Sequence, residues 1–193
     1  MSKKEIMQIR NISTTLETRE EEDGEFFLEG YFVTFNKETE LWPGAFEEID
    51  PKALDNTLSN DIRALTNHDS TLVLGRNKAN TLELKVDSFG LWGKLRINKD
   101  DTDAVNTYHR VKRTDISGNS FGGYFLKEEV DYREDGTVKF IIKEIDLREV
   151  SICTFPQYED TSIQARKKEV EQHEQRKLET TKNKLNERLG KIC

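Results

Sequence analysis

Two long runs of strand-forming residues meet at Asp135-Gly136, and their pairing constrains the fold more than any other feature of the sequence. Residues 120–130 read SFGGYFLKEEV and residues 138–153 read VKFIIKEIDLREVSIC. Both runs are rich in aromatic and β-branched residues, which favour strands. Asp-Gly between two such runs is a strong signal for a tight hairpin turn. The sequence therefore predicts a long antiparallel hairpin in the second half of the chain.

Further strands are predicted along the rest of the chain. Residues 5–18, 25–35 and 61–66 combine partial alternation with β-branched or aromatic residues, and each is predicted to form a strand. Residues 81–87 and 89–97 alternate at period two across a tight turn, which predicts a second hairpin. The fold is therefore dominated by strands that pair antiparallel.

Two segments of the body have helical signals. Asp50 and Pro51 are typical of an N-cap and a first helical position, which predicts a short helix over 51–58. Residues 100–113 place apolar side chains at helical spacing, which predicts a second helix. This is too few helices for alternating βαβ units. The predicted fold class is α+β, with a mostly antiparallel, closed or barrel-like sheet surrounded by helices.

The charge distribution divides the chain into a body, residues 1–164, and a tail, residues 165–193. The tail holds nine Lys and Arg against five Asp and Glu, which leaves −11 on the body out of the net charge of −7. The tail has no aromatic residue and only sparse apolar ones, so we expect a charged helical tail without a well-buried face. An acidic body is expected to repel nucleic acid, whose binding needs a basic surface.

Several classes of protein and site are excluded on composition and motifs. No apolar run approaches the ~20 residues that span a bilayer, and no signal peptide is recognisable, so we expect a soluble cytosolic protein without membrane partners. The two cysteines, Cys153 and Cys193, and the three histidines are scattered, which argues against structural zinc. Neither a phosphate-binding loop nor a dinucleotide fingerprint occurs. We therefore expect no cofactor and no metal.

Candidate catalytic residues are found at three places. His68 follows a predicted short strand and is flanked by Asn67 and Asp69, unlike a histidine on an apolar face. Ser120 is surrounded by small residues that allow close approach of a substrate chain. Residues 118–122 match G-x-S-x-G by letters, but the predicted setting is turn-to-strand, whereas the hydrolase motif lies between a strand and a helix.

The third place is the segment that contains Asp146 and Glu149. Residues three apart on a strand point to opposite faces, so only one of these carboxylates is expected to face a given site. His109 lies in the basic last turn of the predicted helix over 100–113, where it complements the helix dipole at the surface.

Five short motifs in a fixed order, covering about residues 25–163, give the sequence a family resemblance. They are Trp42-Pro43-Gly44-Ala45-Phe46, Asn67-His68-Asp69 with Leu74-Gly75-Arg76, Gly90-Leu91-Trp92, Ser120-Phe121-Gly122, and Glu149-Val150-Ser151 with Pro156 beyond. In these the chain resembles the prohead maturation proteases of tailed bacteriophages.

The resemblance implies a serine endopeptidase with a β-barrel fold similar to that of the herpesvirus assembly proteases. It implies that His68 is the general base and Ser120 the nucleophile. Such a pair is expected in contact at about 3 Å, or somewhat looser without substrate. Glu149 is the first choice for the third catalytic residue and Asp146 the second. The enzyme would act in the host cytoplasm inside the prohead, cleaving the scaffolding segment of the major capsid protein and then itself. The tail would be a flexible, targeting or self-cleaved segment, and homo-oligomers are compatible with self-cleavage.

Two interpretations from other classes stay open on the sequence. One is a catalytically inactive scaffold or capsid-binding module with the same fold. The other is a nucleic-acid-associated factor that uses the basic tail, although the charge of −11 on the body disfavours it.

Overall fold

The computed structural model describes residues 7–12, 14–22, 24–155 and 161–189. The chain separates into two compact units, Met1–Tyr158 and Glu159–Cys193. Two parts of the sequence discussed above, Pro156 of the last motif and Cys193, lie outside the described residues. No helix in the described part of the chain is long and apolar enough to cross a membrane.

The described residues form eleven strands, two α-helices and one 3-10 turn. The strands are β1 (Gln8–Ile12), β2 (Glu17–Glu20), β3 (Phe26–Thr34), β4 (Thr39–Trp42), β5 (Ala45–Ile49), β6 (Arg63–Thr66), β7 (Asp69–Arg76), β8 (Leu82–Val86), β9 (Gly90–Arg96), β10 (Gly118–Tyr132) and β11 (Val138–Cys153). The helices are α1 (Thr102–Lys112) in the first unit and α2 (Thr161–Leu189) in the second, and the 3-10 turn is Asn77–Ala79.

The predicted hairpin at Asp135-Gly136 is the centre of the larger sheet. Its strands β10 and β11 pair antiparallel from Gly118 opposite Cys153 to Tyr132 opposite Val138. Strand β1 pairs with the free edge of β10. The other edge of β11 pairs in parallel with β5 and then with β6, which carry β4 and β7 on their outer sides. The smaller sheet has the order β2-β3-β9-β8 and is antiparallel throughout.

The α+β class and the mainly antiparallel pairing are as predicted, but the expectation of a closed or barrel-like sheet is wrong. Closure would need the outermost strands of one sheet to pair with each other. Among the described strands, β1 pairs only with β10, and β4 and β7 pair only with β5 and β6. Because β5 and β6 share one edge of the long β11, the sheet branches at that edge and stays open.

The core of the first unit combines residues of both sheets with the apolar side of α1. This cluster includes Leu28, Phe32, Leu91 and Leu95 of the smaller sheet, Phe121, Val150 and Ile152 of the larger sheet, and Ala104, Tyr108 and Val111 of α1. Side chains alternate between the two faces of a strand. Because Phe121 and Val150 point into the core, Ser120, Glu149 and Ser151 lie on the opposite face of β10 and β11.

The helix predicted over 51–58 is wrong, because residues 51–59 form consecutive turns. The Asp50 carboxylate does accept the Lys52 N–H at 2.9 Å, as in an N-cap. An α-helix would then need the Ala53 carbonyl as acceptor for the Thr57 N–H. That carbonyl instead accepts the Ile145 N–H of β11 at 2.9 Å, and the Thr57 N–H turns to Leu54. Bonding to β11 therefore replaces the helical pattern.

Two other predictions concern helix α1 and the single strand over residues 5–18. Helix α1 forms where it was predicted, with the Asp101 side chain accepting the N–H groups of Asp103 and Ala104. The single strand predicted over 5–18 is wrong, since β1 belongs to the larger sheet and β2 to the smaller one. The chain therefore crosses from one sheet to the other before residue 17.

A buried ion pair fixes strand β1, whose Arg10 carbonyl accepts a hydrogen bond from Ser120. The Arg10 Nε donates to Glu47 Oε1 at 2.6 Å and its Nη2 to Glu47 Oε2 at 3.0 Å. The guanidinium lies 4.9 Å from the centre of the Phe125 ring. A two-point contact of this kind between planar groups has strong geometric specificity. It restricts how β1 lies against the sheet.

Candidate active site

His68 occupies the second position of a tight turn between β6 and β7. Thr66 and Asp69 pair across the turn, and the two residues between them have φ angles of 52° at Asn67 and 60° at His68. Positive φ at both positions is typical of a type I′ hairpin turn, which favours Asn-Gly. A left-handed conformation costs a residue with a side chain roughly 1–2 kcal/mol. His68 is therefore held in a conformation that glycine would adopt more easily.

Asn67 fixes this turn to the end of β11. Its Oδ1 accepts the Thr154 N–H at 2.8 Å, and its Nδ2 donates to Thr154 Oγ1 at 3.3 Å. Its own N–H donates to the Ile152 carbonyl at 2.9 Å. Three hydrogen bonds from one residue determine where the neighbouring imidazole lies.

The His68 imidazole lies over one face of β11, between two side chains of that strand. Its Nδ1 is 2.5 Å from Glu149 Oε1, and its Nε2 is 3.4 Å from the Cys153 Sγ. Glu149 and Cys153 are four residues apart, so they share a face of the strand. Both are almost fully buried, with 3% and 2% of their surface exposed. One imidazole thus links a carboxylate and a thiol.

Ser151 lies between Glu149 and Cys153 on the same face of β11. It forms hydrogen bonds with both Glu149 and His68. Its Oγ donates to Glu149 Oε2 at 2.5 Å and accepts the His68 backbone N–H at 3.3 Å. No role for Ser151 or Cys153 was expected from the sequence. Period-two spacing after Glu149 was the signal that places them on its face, but it does not reveal that His68 lies above them.

Gly122 makes room for the Glu149 carboxylate. It lies directly opposite Glu149 in the pairing of β10 with β11. A Cβ atom on residue 122 would lie 2.2 Å from Glu149 Oε1 and 2.4 Å from Met7 Cε. Any other residue would therefore displace the carboxylate that contacts His68.

Ser120 lies on the same face, one strand further from His68, and the expected contact of about 3 Å between the two side chains is not formed. Ser120 is fully buried and lies opposite Ser151. Its hydroxyl donates to the Arg10 carbonyl of β1 at 2.8 Å. Within the part of the chain that is described, neither ring nitrogen of His68 has Ser120 as a hydrogen-bond partner. The Arg10 carbonyl accepts the Ser120 hydroxyl instead, and Nε2 faces Cys153.

The remaining sequence candidates lie away from His68. Asp146 Oδ1 accepts from Asn60 Nδ2 at 2.8 Å, and its Oδ2 accepts from Arg148 Nη2 at 2.6 Å. Of the two carboxylates left open by the sequence, Glu149 is therefore the one in contact with the imidazole. His109 is exposed on α1, beside the rings of Phe26 and Tyr108.

The surroundings of His68 change its proton affinity in opposing ways. Burial alone would lower the pKa, because a buried imidazolium loses hydration. Hydrogen bonds to Cys153 and Glu149, together with the charge of the Glu149 carboxylate, outweigh burial and raise the pKa of His68 to about 9. At neutral pH the imidazole is therefore mostly protonated in this arrangement.

A cavity of about 330 Å³ opens onto the imidazole and the thiol. Its lining consists of Asn67, His68, Cys153, Thr154 and Phe155. Phe155 is 76% exposed, so the outer wall is an aromatic side chain at the surface. The His68 imidazole and the Cys153 thiol are thus reachable from solvent through this cavity.

Comparison with known proteins gives one match. The family model for the caudovirus prohead serine protease matches residues 14–176, a span that includes His68, Ser120 and Glu149. The family resemblance found in the motifs is thereby confirmed. Searches of curated proteins and of solved structures found no match.

The contact between Glu149 and His68 is tested by the pKa of the imidazole. Replacing Glu149 by glutamine removes a negative charge next to Nδ1, so we expect the pKa of His68 to fall below about 9. An NMR titration of the ring measures this, with the His68 signal identified by its loss in His68→Asn.

Asp146→Asn is the matched control for this titration, because Asp146 lies on the same strand but contacts Asn60 and Arg148. It should leave the His68 titration unchanged. If Glu149→Gln also leaves it unchanged, the carboxylate does not act on the imidazole.

Proposed function

Because the chain belongs to the caudovirus prohead serine protease family, we propose that it is a serine endopeptidase with His68 as general base, Ser120 as nucleophile and Glu149 as the carboxylate behind the base. The match covers residues 14–176, most of the chain. Family membership indicates a role in capsid maturation and a location inside the procapsid in the host cell. The contacts around His68, Ser120 and Glu149 support the assignment of these three residues.

The contact of 2.5 Å between His68 Nδ1 and Glu149 Oε1 is the observation that carries the proposal. A carboxylate at Nδ1 keeps a proton on that nitrogen, so that Nε2 is the one that accepts a proton. It also stabilises the imidazolium that forms when the base has accepted its proton. Burial of Glu149 strengthens this effect, since little water screens the charge.

Ser120 becomes a nucleophile in this proposal after a rotation about its Cα–Cβ bond. Its hydroxyl now points to β1, whose Arg10 carbonyl it contacts at 2.8 Å. Strands β1 and β11 lie on opposite sides of β10. Another staggered rotamer therefore turns the hydroxyl away from β1 and towards β11, above which His68 lies. The Cys153 thiol must release Nε2 in the same rearrangement.

The reaction then follows the chemistry of a serine protease. Neutral His68 accepts the Ser120 proton at Nε2 while Oγ attacks the carbonyl carbon of the scissile peptide bond. The resulting imidazolium returns the proton to the leaving amine, and the C–N bond breaks to give an acyl-enzyme. Water, activated by the same imidazole, hydrolyses the ester and restores the Ser120 hydroxyl.

The proposed substrates are the scaffolding segment of the major capsid protein and the protease itself. Both are peptide chains held at high local concentration inside a procapsid. Residues 165–193 are proposed as the targeting or self-cleaved tail of the protein, next to a protease domain of residues 1–164. Leu178 is 71% exposed, which supports a tail with no buried face around that residue, whereas Arg166 near the start of the tail is buried. No nucleic acid or membrane partner enters the proposal.

If the chain were an inactive scaffold, the buried pair of His68 and Glu149 would have no function. Burying a charged pair is costly unless the geometry and hydrogen bonds compensate. Ser151 and the backbone turn at Asn67 supply those compensating contacts. A scaffold needs none of them, so the arrangement favours the enzyme.

Self-cleavage tests the nucleophile. We expect mass spectrometry of the purified full-length chain, sampled over days, to show progressive loss of a terminal segment, because the enzyme is one of its own substrates. Ser120→Ala removes the nucleophile and should leave the chain intact.

Ser117→Ala is the matched control, since Ser117 is exposed and lies before β10. It should be processed like the parent chain. Processing of Ser120→Ala at the parental rate would contradict the assignment of Ser120.

The pH dependence of self-cleavage tests His68. A base must be neutral to accept a proton, and the pKa of His68 is raised to about 9. The rate should therefore increase by about tenfold per pH unit between pH 6 and 8 and level off near pH 9. A rate that is already constant from pH 7 upwards would contradict a base with a pKa of about 9.

A further inference from the structure

The ring nitrogen that the proposed mechanism uses as a base faces a thiol in this structure. Cys153 Sγ lies 3.4 Å from His68 Nε2, while Glu149 occupies the other ring nitrogen. Cys153 is a free cysteine. The three side chains form a relay from carboxylate to imidazole to thiol, which is the arrangement that activates a cysteine nucleophile.

A small reagent can reach this thiol through the cavity described above. The volume of about 330 Å³ is that of roughly ten water molecules. Cys153 contributes to its wall but is only 2% exposed, so the thiol lies at the inner end. A reagent of a few heavy atoms is therefore the appropriate probe for this thiol.

The pairing of β10 with β11 places the thiol near the proposed nucleophile. Cys153 lies opposite Gly118, which has no side chain. The neighbouring pair on the same face is Ser120 opposite Ser151. The thiol and the proposed nucleophile therefore belong to pairs two positions apart along the hairpin, on the same face of the sheet.

From these contacts we propose that Cys153 is a modification site for small thiol-reactive electrophiles, with His68 as its base, and that a group attached there blocks His68. In alkylation by iodoacetamide, the thiol proton moves to Nε2 of a neutral His68, the minor form at neutral pH, and a sulfur–carbon bond forms as the carbon–iodine bond breaks. Iodide leaves, and the imidazolium releases its proton to solvent. The loss of peptidase activity rests on the proposed function, whereas the alkylation itself does not.

The labelling experiment uses the full-length chain with Cys193→Ser, so that Cys153 is the one cysteine left. Iodoacetamide is added at pH 7.5, and mass spectrometry follows the alkylated fraction with time. We expect His68→Asn to lower the alkylation rate at least about tenfold, since general bases contribute factors of ~10²–10⁴ to proton transfers. His109→Asn, which changes an exposed histidine on α1, should leave the rate unchanged.

Urea unfolding of each variant establishes that it is folded before its rate is used. Should His68→Asn not fold, Glu149→Gln replaces it, and its rate is judged in the same way. An alkylation rate in the folded variant equal to or above that of the parent overturns the proposal. Alkylation of the parent only after unfolding in urea overturns it as well.

The effect on activity is measured as the rate of self-cleavage after treatment, relative to the untreated rate of the same variant. The parent should lose activity in proportion to the alkylated fraction of Cys153. Cys153→Val, treated identically, should keep its own untreated rate. Full alkylation of the parent without loss of cleavage contradicts the blocking of His68.

Ser120→Ala separates this proposal from the proposed function. It keeps His68, Glu149 and Cys153, so alkylation should proceed at the parental rate although cleavage is absent. If Ser120→Ala still cleaves while Cys153 alkylation depends on His68, the nucleophile is wrong and the modification site stands. If Ser120→Ala does not cleave and alkylation is independent of His68, the modification site is wrong and the function stands.

Discussion

The contact between the Glu149 carboxylate and His68 Nδ1, at 2.5 Å, is the interaction on which the site depends. Three features of the fold make it possible. The tight turn anchored by Asn67 brings the imidazole over β11, Ser151 holds the second carboxylate oxygen, and Gly122 leaves room on β10. Each comes from a different part of the chain, so the site forms only when β6, β10 and β11 are paired.

In the proposed mechanism, the Cys153 thiol and the Ser120 hydroxyl compete for His68 Nε2. Cys153 faces Nε2, and Ser120 is held by the carbonyl of Arg10, whose side chain is itself fixed by Glu47. In the proposed mechanism this arrangement is a resting one, in which neither His68 nor Ser120 is in its reacting position. Binding of a peptide in the cavity beside His68 is the event that would favour the exchange of Cys153 for Ser120. A ligand shifts such an equilibrium only as far as it binds the second arrangement better.

Local sequence signals predicted the parts of the fold that depend on neighbouring residues. Asp135-Gly136 defines the long hairpin, and Asp101 caps α1. The open sheet was not predictable in this way, because the parallel pairing of β11 with β5 and β6 joins segments far apart in sequence. The failed helix after Asp50 has the same origin, since Ile145 takes the carbonyl that the helix would need.

The same division holds for the site. The motifs around His68, Ser120 and Glu149 resemble a protease family, and Glu149 was preferred to Asp146 after that resemblance, because alternation along β11 does not say which of the two faces the site. The hydrogen bond of Ser120 to β1 and the approach of His68 to Cys153 depend on how three strands and one turn meet, which no spacing in the sequence encodes.

Activation of Ser120 by His68 is tested by treating the full-length chain with a fluorophosphonate, which transfers its phosphonyl group to an activated serine with loss of fluoride. Mass spectrometry then locates the transferred group. We expect modification of Ser120 in the parent chain and its loss in His68→Asn; modification at another residue, or at Ser120 regardless of His68, would show that His68 does not activate Ser120.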